Sequence, residues 1–179
     1  MIYLDNSATT QPAAEVLDVY LKVAKDYFGN PSSLHTLGME AEALLQQARQ
    51  RIAEQLGTAA KEIIFTSGGT EGNNLAIKGS AYALKARGKH LITTEAEHPS
   101  TFEVFRELER LGFEVTYLPV DTEGRISVAA LEQAIRRDTT LVSIIHVNNE
   151  TGTIQPINEI GERLAKYLTY AFMSIMFKD

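Results

Sequence analysis

The sequence predicts an α/β fold: a mostly parallel sheet flanked by helices. Short apolar runs at residues 63–65, 91–93, 115–118 and 141–147 have the length and composition of buried strands. Each is separated from the next by a stretch of helical periodicity, and strand–helix alternation of this kind gives parallel neighbours joined by crossovers. Gly88 and Gly112 follow two of these helical stretches, where a left-handed residue ends a helix without strain.

The elements can be justified in chain order. Ile2-Tyr3-Leu4 is a short apolar run closed by Asp5-Asn6-Ser7. Val16, Val19, Tyr20, Val23 and Tyr27 recur at helical spacing and predict a helix over 13–28 that stops at Gly29. Gly29-Asn30-Pro31-Ser32-Ser33 is a loop by composition, because proline removes a donor and the others favour turns. Ala41, Leu45, Ala48, Ile52 and Leu56 make a second helix, closed by Gly57. Further helices are expected over 71–86, 99–111 and 128–135, the last capped by Ser127. There is no internal repeat or low-complexity tract.

Composition narrows the function. The chain has 179 residues, 44% hydrophobic, which suits one core, and its net charge of −6 without a basic run argues against nucleic acid. With no cysteine, disulfides, zinc–thiolate sites and a cysteine nucleophile are all excluded for this chain, and no metal site is expected. No apolar run approaches membrane-spanning length and no basic leader opens the chain, so a soluble, cytoplasmic protein without membrane contact is expected.

Phe65-Thr66-Ser67-Gly68-Gly69-Thr70-Glu71-Gly72-Asn73-Asn74-Leu75 carries the strongest signal of chemistry. An apolar run stops at small residues and a helix begins, so unpaired N–H groups and the positive end of the helix dipole face whatever lies beyond. The glycines fall at 68, 69 and 72, which fits neither a P-loop nor a Rossmann fingerprint. An ordinary strand-to-helix turn is the plain alternative. In a parallel sheet, ligands bind at the carboxyl ends of the strands, so segments 67–73, 95–100 and 147–152 should converge there. Glu95-Ala96-Glu97-His98-Pro99 puts an imidazole at that edge, and His146-Val147-Asn148-Asn149-Glu150-Thr151-Gly152 puts two amides and a carboxylate there. Taken singly, the first is compatible with a structural histidine and the second with turn chemistry.

Together with Tyr3-Leu4-Asp5-Asn6-Ser7-Ala8-Thr9-Thr10, Gly29-Asn30-Pro31-Ser32-Ser33-Leu34-His35 and Val142-Ser143-Ile144-Ile145, these segments resemble the N-terminal half of a cysteine desulfurase. That family comprises the NifS/IscS-type enzymes of the class V aminotransferases, and the match runs to about Ala165. The resemblance implies part of the large domain of a fold-type I pyridoxal-phosphate (PLP) enzyme, homodimeric, which takes sulfur from L-cysteine and leaves alanine. The sulfur would go to an acceptor or scaffold protein for iron–sulfur clusters or tRNA thiolation. It also implies that Gly69 and Thr70 bind the cofactor phosphate, that His98 stacks on the pyridine ring and serves as the catalytic residue of this half, and that Asn149 bonds the ring's 3′-oxygen. The 30–33 loop would border the substrate entrance near the dimer interface. Other class V activities, such as selenocysteine lyase or aminotransferase, and a non-catalytic partner of a full-length protomer, are the alternatives.

The family also needs an Asp at the pyridine nitrogen, a Gln, a Schiff-base Lys in a Ser-x-His-Lys context, a mobile Cys and a substrate Arg, all beyond the matched stretch. None of the lysines here has that context and cysteine is absent, so a fragment inactive alone, without a stable internal aldimine, is expected. The expected division is an N-terminal helical segment over 1–60, a partial PLP-binding domain over 61–166 and a divergent tail over 167–179. In the family a strand reading much like Phe-His-Val-Asp-x-x-Gln follows there. The tail is read as that strand in a shifted frame, with an unrelated apolar strand ending an ordinary short protein as the plain alternative.

Overall fold

The computed structural model describes residues 2–6, 8–166 and 171–175. The chain divides into two compact units, Met1–Phe65 and Thr66–Asp179.

The first unit has two helices, α1 (Ala14–Asp26) and α2 (Thr36–Leu56), then a 3-10 turn, Ala60–Glu62. α1 is amphipathic, yet it contains no buried residue. α2 is capped at its start by His35, whose Nδ1 accepts from the Gly38 N–H at 3.3 Å. It ends at Gly57, where φ is 65° and the N–H returns to Ala53 and Glu54 carbonyls. The 29–33 loop folds tightly against the first turn of α2: a Cβ on Gly38 would lie 2.3 Å from the Ser33 carbonyl oxygen. Within that loop the Ser32 N–H donates to Asn30 Oδ1 at 2.9 Å, the turn chemistry expected of Asn. The strand expected at 63–65 does not form: Ile64 is 68% exposed, and no described strand pairs with the segment. Three apolar residues following a 3-10 turn have the composition of a strand but no neighbouring strand to complete a ladder.

The second unit runs α3 (Gly69–Leu84), β1 (His90–Thr94), α4 (Pro99–Arg110), β2 (Glu114–Leu118), α5 (Val128–Ala134), β3 (Thr139–Ile145), α6 (Ile157–Leu164) and β4 (Ala171–Ile175). Its strands are all parallel, in the order β2-β1-β3-β4. The expected α/β class therefore holds. α6 is an addition to the sequence reading, and β4 puts residues 171–175 of the tail beside β3; residues 167–170 and 176–179 of that tail lie outside the described residues. α3 ends before Gly88, whose role is a close approach: a Cβ there would sit 2.1 Å from the Asp138 carbonyl oxygen.

Alternation along the strands divides the core into two layers. Leu91 and Leu141 face Ile77 and Ala81 of α3 and Val104, Phe105 and Leu108 of α4. Ile92, Val142 and Ile144 face Leu131 of α5 and Ile160 and Leu164 of α6. Each fully buried side chain of this size contributes about 1.5–3 kcal/mol. His90 ties the three strands laterally, its ring contacting Thr139 Oγ1 at 2.7 Å and Thr116 Oγ1 at 2.8 Å. From β1 the chain passes through α4 to β2 on one side; from β2 it crosses back through α5 to β3 on the other. The connections leaving β1 and β3 thus diverge at a topological switch point, where open α/β sheets form a crevice.

Candidate functional site

Helices on a parallel sheet run against the strands, so α3 and α4 both begin at the sheet's carboxyl edge. At the start of α3 the Thr66 hydroxyl donates to the Gly68 carbonyl at 3.2 Å, and the Ser67 N–H donates to the Glu71 carboxylate. The backbone bond from Ser67, followed by its side-chain bond, holds the Glu71 carboxyl below the usual carboxylate range. The first bond of the helix runs from the Gly72 N–H to the Gly68 carbonyl. Among the described residues the N–H groups of Gly69, Thr70 and Glu71 and the Thr70 hydroxyl have no hydrogen-bond partner, and Gly69 and Thr70 are exposed. This is an anion-accepting helix end on a 16-residue helix.

His98 caps α4, whose first residue is Pro99. Its Nδ1 accepts from the Ser100 N–H at 3.1 Å and lies 2.8 Å from Ser100 Oγ. Asn73, buried on α3, donates from Nδ2 to Ser100 Oγ at 2.9 Å, which joins the starts of the two helices.

The loop after β3 joins the same edge through Asn148. Its Nδ2 donates to the Ala96 carbonyl at 3.1 Å, while its Oδ1 accepts from the Glu150 and Thr151 N–H groups at 2.9 Å each. The turn chemistry belongs to Asn148. Asn149, half-buried beside it, has no hydrogen bond to the described residues. The three segments expected to converge therefore do: α3 meets the β1–α4 loop at Asn73–Ser100, and that loop meets the β3–α6 loop at Asn148–Ala96.

Glu97 lies within the Glu95-Ala96-Glu97-His98-Pro99 segment, but its place is not legible in the sequence. It is only 8% exposed, and its Oε1 accepts from the Ile145 N–H at 2.8 Å and from the Thr94 hydroxyl at 2.9 Å. It thus clamps the ends of β1 and β3 across the switch point. Its Oε2 is buried and has no partner among the described residues, as is true of the hydroxyls of Thr93 and Ser143. Burial pushes the Glu97 carboxyl up to about 7, against the opposing pull of its two hydrogen bonds. An acid immediately before a strand-end histidine is the only sequence signal that could have marked it.

Among the described residues no group of acidic and histidine side chains could hold a metal ion, and no helix is long and apolar enough to cross a membrane.

A parallel sheet with an anion-accepting helix end, a histidine and an asparagine around its switch point has the architecture of a fold-type I large domain, present here in part. The comparisons agree. The family described as aminotransferase class V is matched over residues 2–173, and the chain belongs to it. It is 57% identical over 167 residues to the NifS/IcsS protein homolog of Lactobacillus delbrueckii subsp. bulgaricus, covering 93% of this chain and 43% of that protein. Cysteine desulfurase IscS of Dictyoglomus turgidum is 50% identical over 169 residues, 94% of this chain and 43% of its own length. A solved structure of SspA in complex with cysteine superposes with a TM-score of 0.86 at 43% identity, covering 94% of this chain and 48% of that one. The chain thus spans under half the length of the relatives it matches.

Proposed function

We propose that this chain carries the phosphate-holding and ring-orienting half of a cysteine desulfurase site, with PLP as cofactor and L-cysteine as substrate. The observation that carries this reading is the hydrogen-bonded convergence of α3, the β1–α4 loop and the β3–α6 loop at the switch point. The donor set fits the cofactor. The N–H of Gly69 and the N–H and hydroxyl of Thr70 suit a phosphate, the half-buried His98 ring suits stacking on a pyridine, and the Asn149 amide can donate to the 3′-oxygen. When bound, PLP supplies the electron sink that allows bonds next to the amino-bearing carbon of cysteine to break. Gly69 and Thr70 would hold the phosphate, His98 would stack on the ring, and Asn149, presented by the turn that Asn148 makes, would donate to the ring oxygen. A cytoplasmic, homodimeric enzyme serving a sulfur acceptor completes the reading.

This chain has no cysteine to carry sulfur and no lysine in the Ser-x-His-Lys context. Alone it should bind PLP reversibly and form alanine from L-cysteine no faster than free PLP does. The test is a spectroscopic PLP titration, borohydride reduction with peptide mapping, and an alanine assay. Saturable binding weakened by Thr70→Val or Asn149→Ala supports the reading. Binding indifferent to both, one fully occupied pyridoxyl-lysine, or alanine formation above free PLP overturns it.

A further inference from the structure

We propose that Asn73 and Ser100 are positioning residues that fix the tautomer of His98, so that its ring proton sits on Nε2 and its Nδ1 lone pair is held by Ser100. The inference deepens the role given to His98 above and rests on that reading for its functional meaning. The hydrogen-bond directions determine it. The Ser100 N–H can only donate, and it points at His98 Nδ1 from 3.1 Å, so Nδ1 carries a lone pair. Ser100 Oγ is 2.8 Å from the same nitrogen, so the hydroxyl must donate as well. Asn73 makes this possible by donating to Ser100 Oγ at 2.9 Å, filling a hydroxyl lone pair and leaving its proton to point at the ring. Asn73 is itself held among buried groups, with Thr101 Oγ1 at 3.4 Å from its Nδ2.

A histidine that merely caps a helix needs only the Ser100 N–H. The relay from α3 adds a second donor to the same lone pair and reaches across to the helix whose start carries the anion-accepting groups. A neutral ring with Nδ1 doubly engaged has its proton on Nε2. The other tautomer would lose the Ser100 N–H bond and would require the Ser100 hydroxyl to reverse, so the two donors together favour Nε2–H.

Imidazole nitrogen NMR of the full chain without cofactor tests this directly. The expected spectrum at neutral pH has a pyridine-like Nδ1 and a pyrrole-like Nε2 for His98. Asn73→Asp replaces the donor by an acceptor of the same shape, turns the Ser100 hydroxyl away from the ring, and should shift the tautomer ratio toward Nδ1–H by roughly tenfold. Ser100→Ala should lower the ratio as well, and Ser100→Thr should keep it. The ring of His90, held by Thr116 and Thr139, reports in the same spectrum whether each variant is folded. If Asn73→Asp does not fold, the Ser100 pair decides. A wild-type ring with its proton on Nδ1, or a folded Asn73→Asp or Ser100→Ala chain with the wild-type ratio, overturns the proposal. PLP titration of the same samples reads the parent reading separately: a wild-type chain with the expected tautomer and no cofactor binding defeats the cofactor assignment alone.

Discussion

The two units treat the same kind of side chain in opposite ways. In the second, Leu91, Ile92, Leu141, Val142, Ile144 and Ile145 are all fully buried, and α4 and α6 seal their apolar faces against the sheet. In the first, α1 leaves Val19 61% and Tyr20 68% exposed and buries nothing. Both regions carry a clean amphipathic pattern. A periodic apolar stripe therefore specifies a helix and the side that seeks burial, but not whether the elements within reach complete a core.

The largest expected effect lies in the second unit. Phe105→Ala removes a fully buried aromatic ring between α4 and the sheet and should cost about 3–5 kcal/mol, read as a lowered urea midpoint. A loss under about 1 kcal/mol would mean that this face is not a packed core.

A smaller and pH-dependent effect belongs to Glu97. Its folded pKa is raised from 4.5 to about 7, so its favourable contribution is complete below the unfolded value and disappears as pH rises through the folded one. Between pH 4.5 and 7 the chain should lose about 3 kcal/mol of stability on this account. Glu97→Gln should flatten that slope, with stability measured by denaturation at several pH values in both chains. An unchanged slope in the variant would assign the titration to another group.

The smallest effect is expected in the first unit. Val19→Asp on exposed α1 should change stability by no more than about 0.5 kcal/mol. A loss of 2 kcal/mol or more would show that this face is covered in solution, and the contrast between the units would vanish.

The legible parts of the fold were those set by local chemistry. Helical spacing located α1 to α5, Gly57 ended α2, and apolar runs located β1, β2 and β3. The run at 63–65 failed because strand formation depends on a neighbour that no local pattern specifies. α6 was passed over although Ile157, Ile160 and Leu164 have helical spacing, since its eight residues give the period little length to show itself. At the site, convergence followed from the parallel sheet alone. The division of labour between Asn148 and Asn149, the Glu97 clamp and the Asn73–Ser100 relay did not, because each depends on partners 27 to 52 residues away.

The strand order β2-β1-β3-β4 also sets a clock. β1 and β3 are paired on both sides, whereas among the described residues β2 pairs with β1 alone and its alternate amides point away from that neighbour. In deuterated water the outward amides of β2 exchange through brief local fraying, while those of β1 and β3 wait for the sheet itself to open. The switch point sits between the two slow strands. The histidine and asparagine loops therefore spring from strands with a neighbour on each side, so the crevice between them rests on the part of this sheet expected to open last.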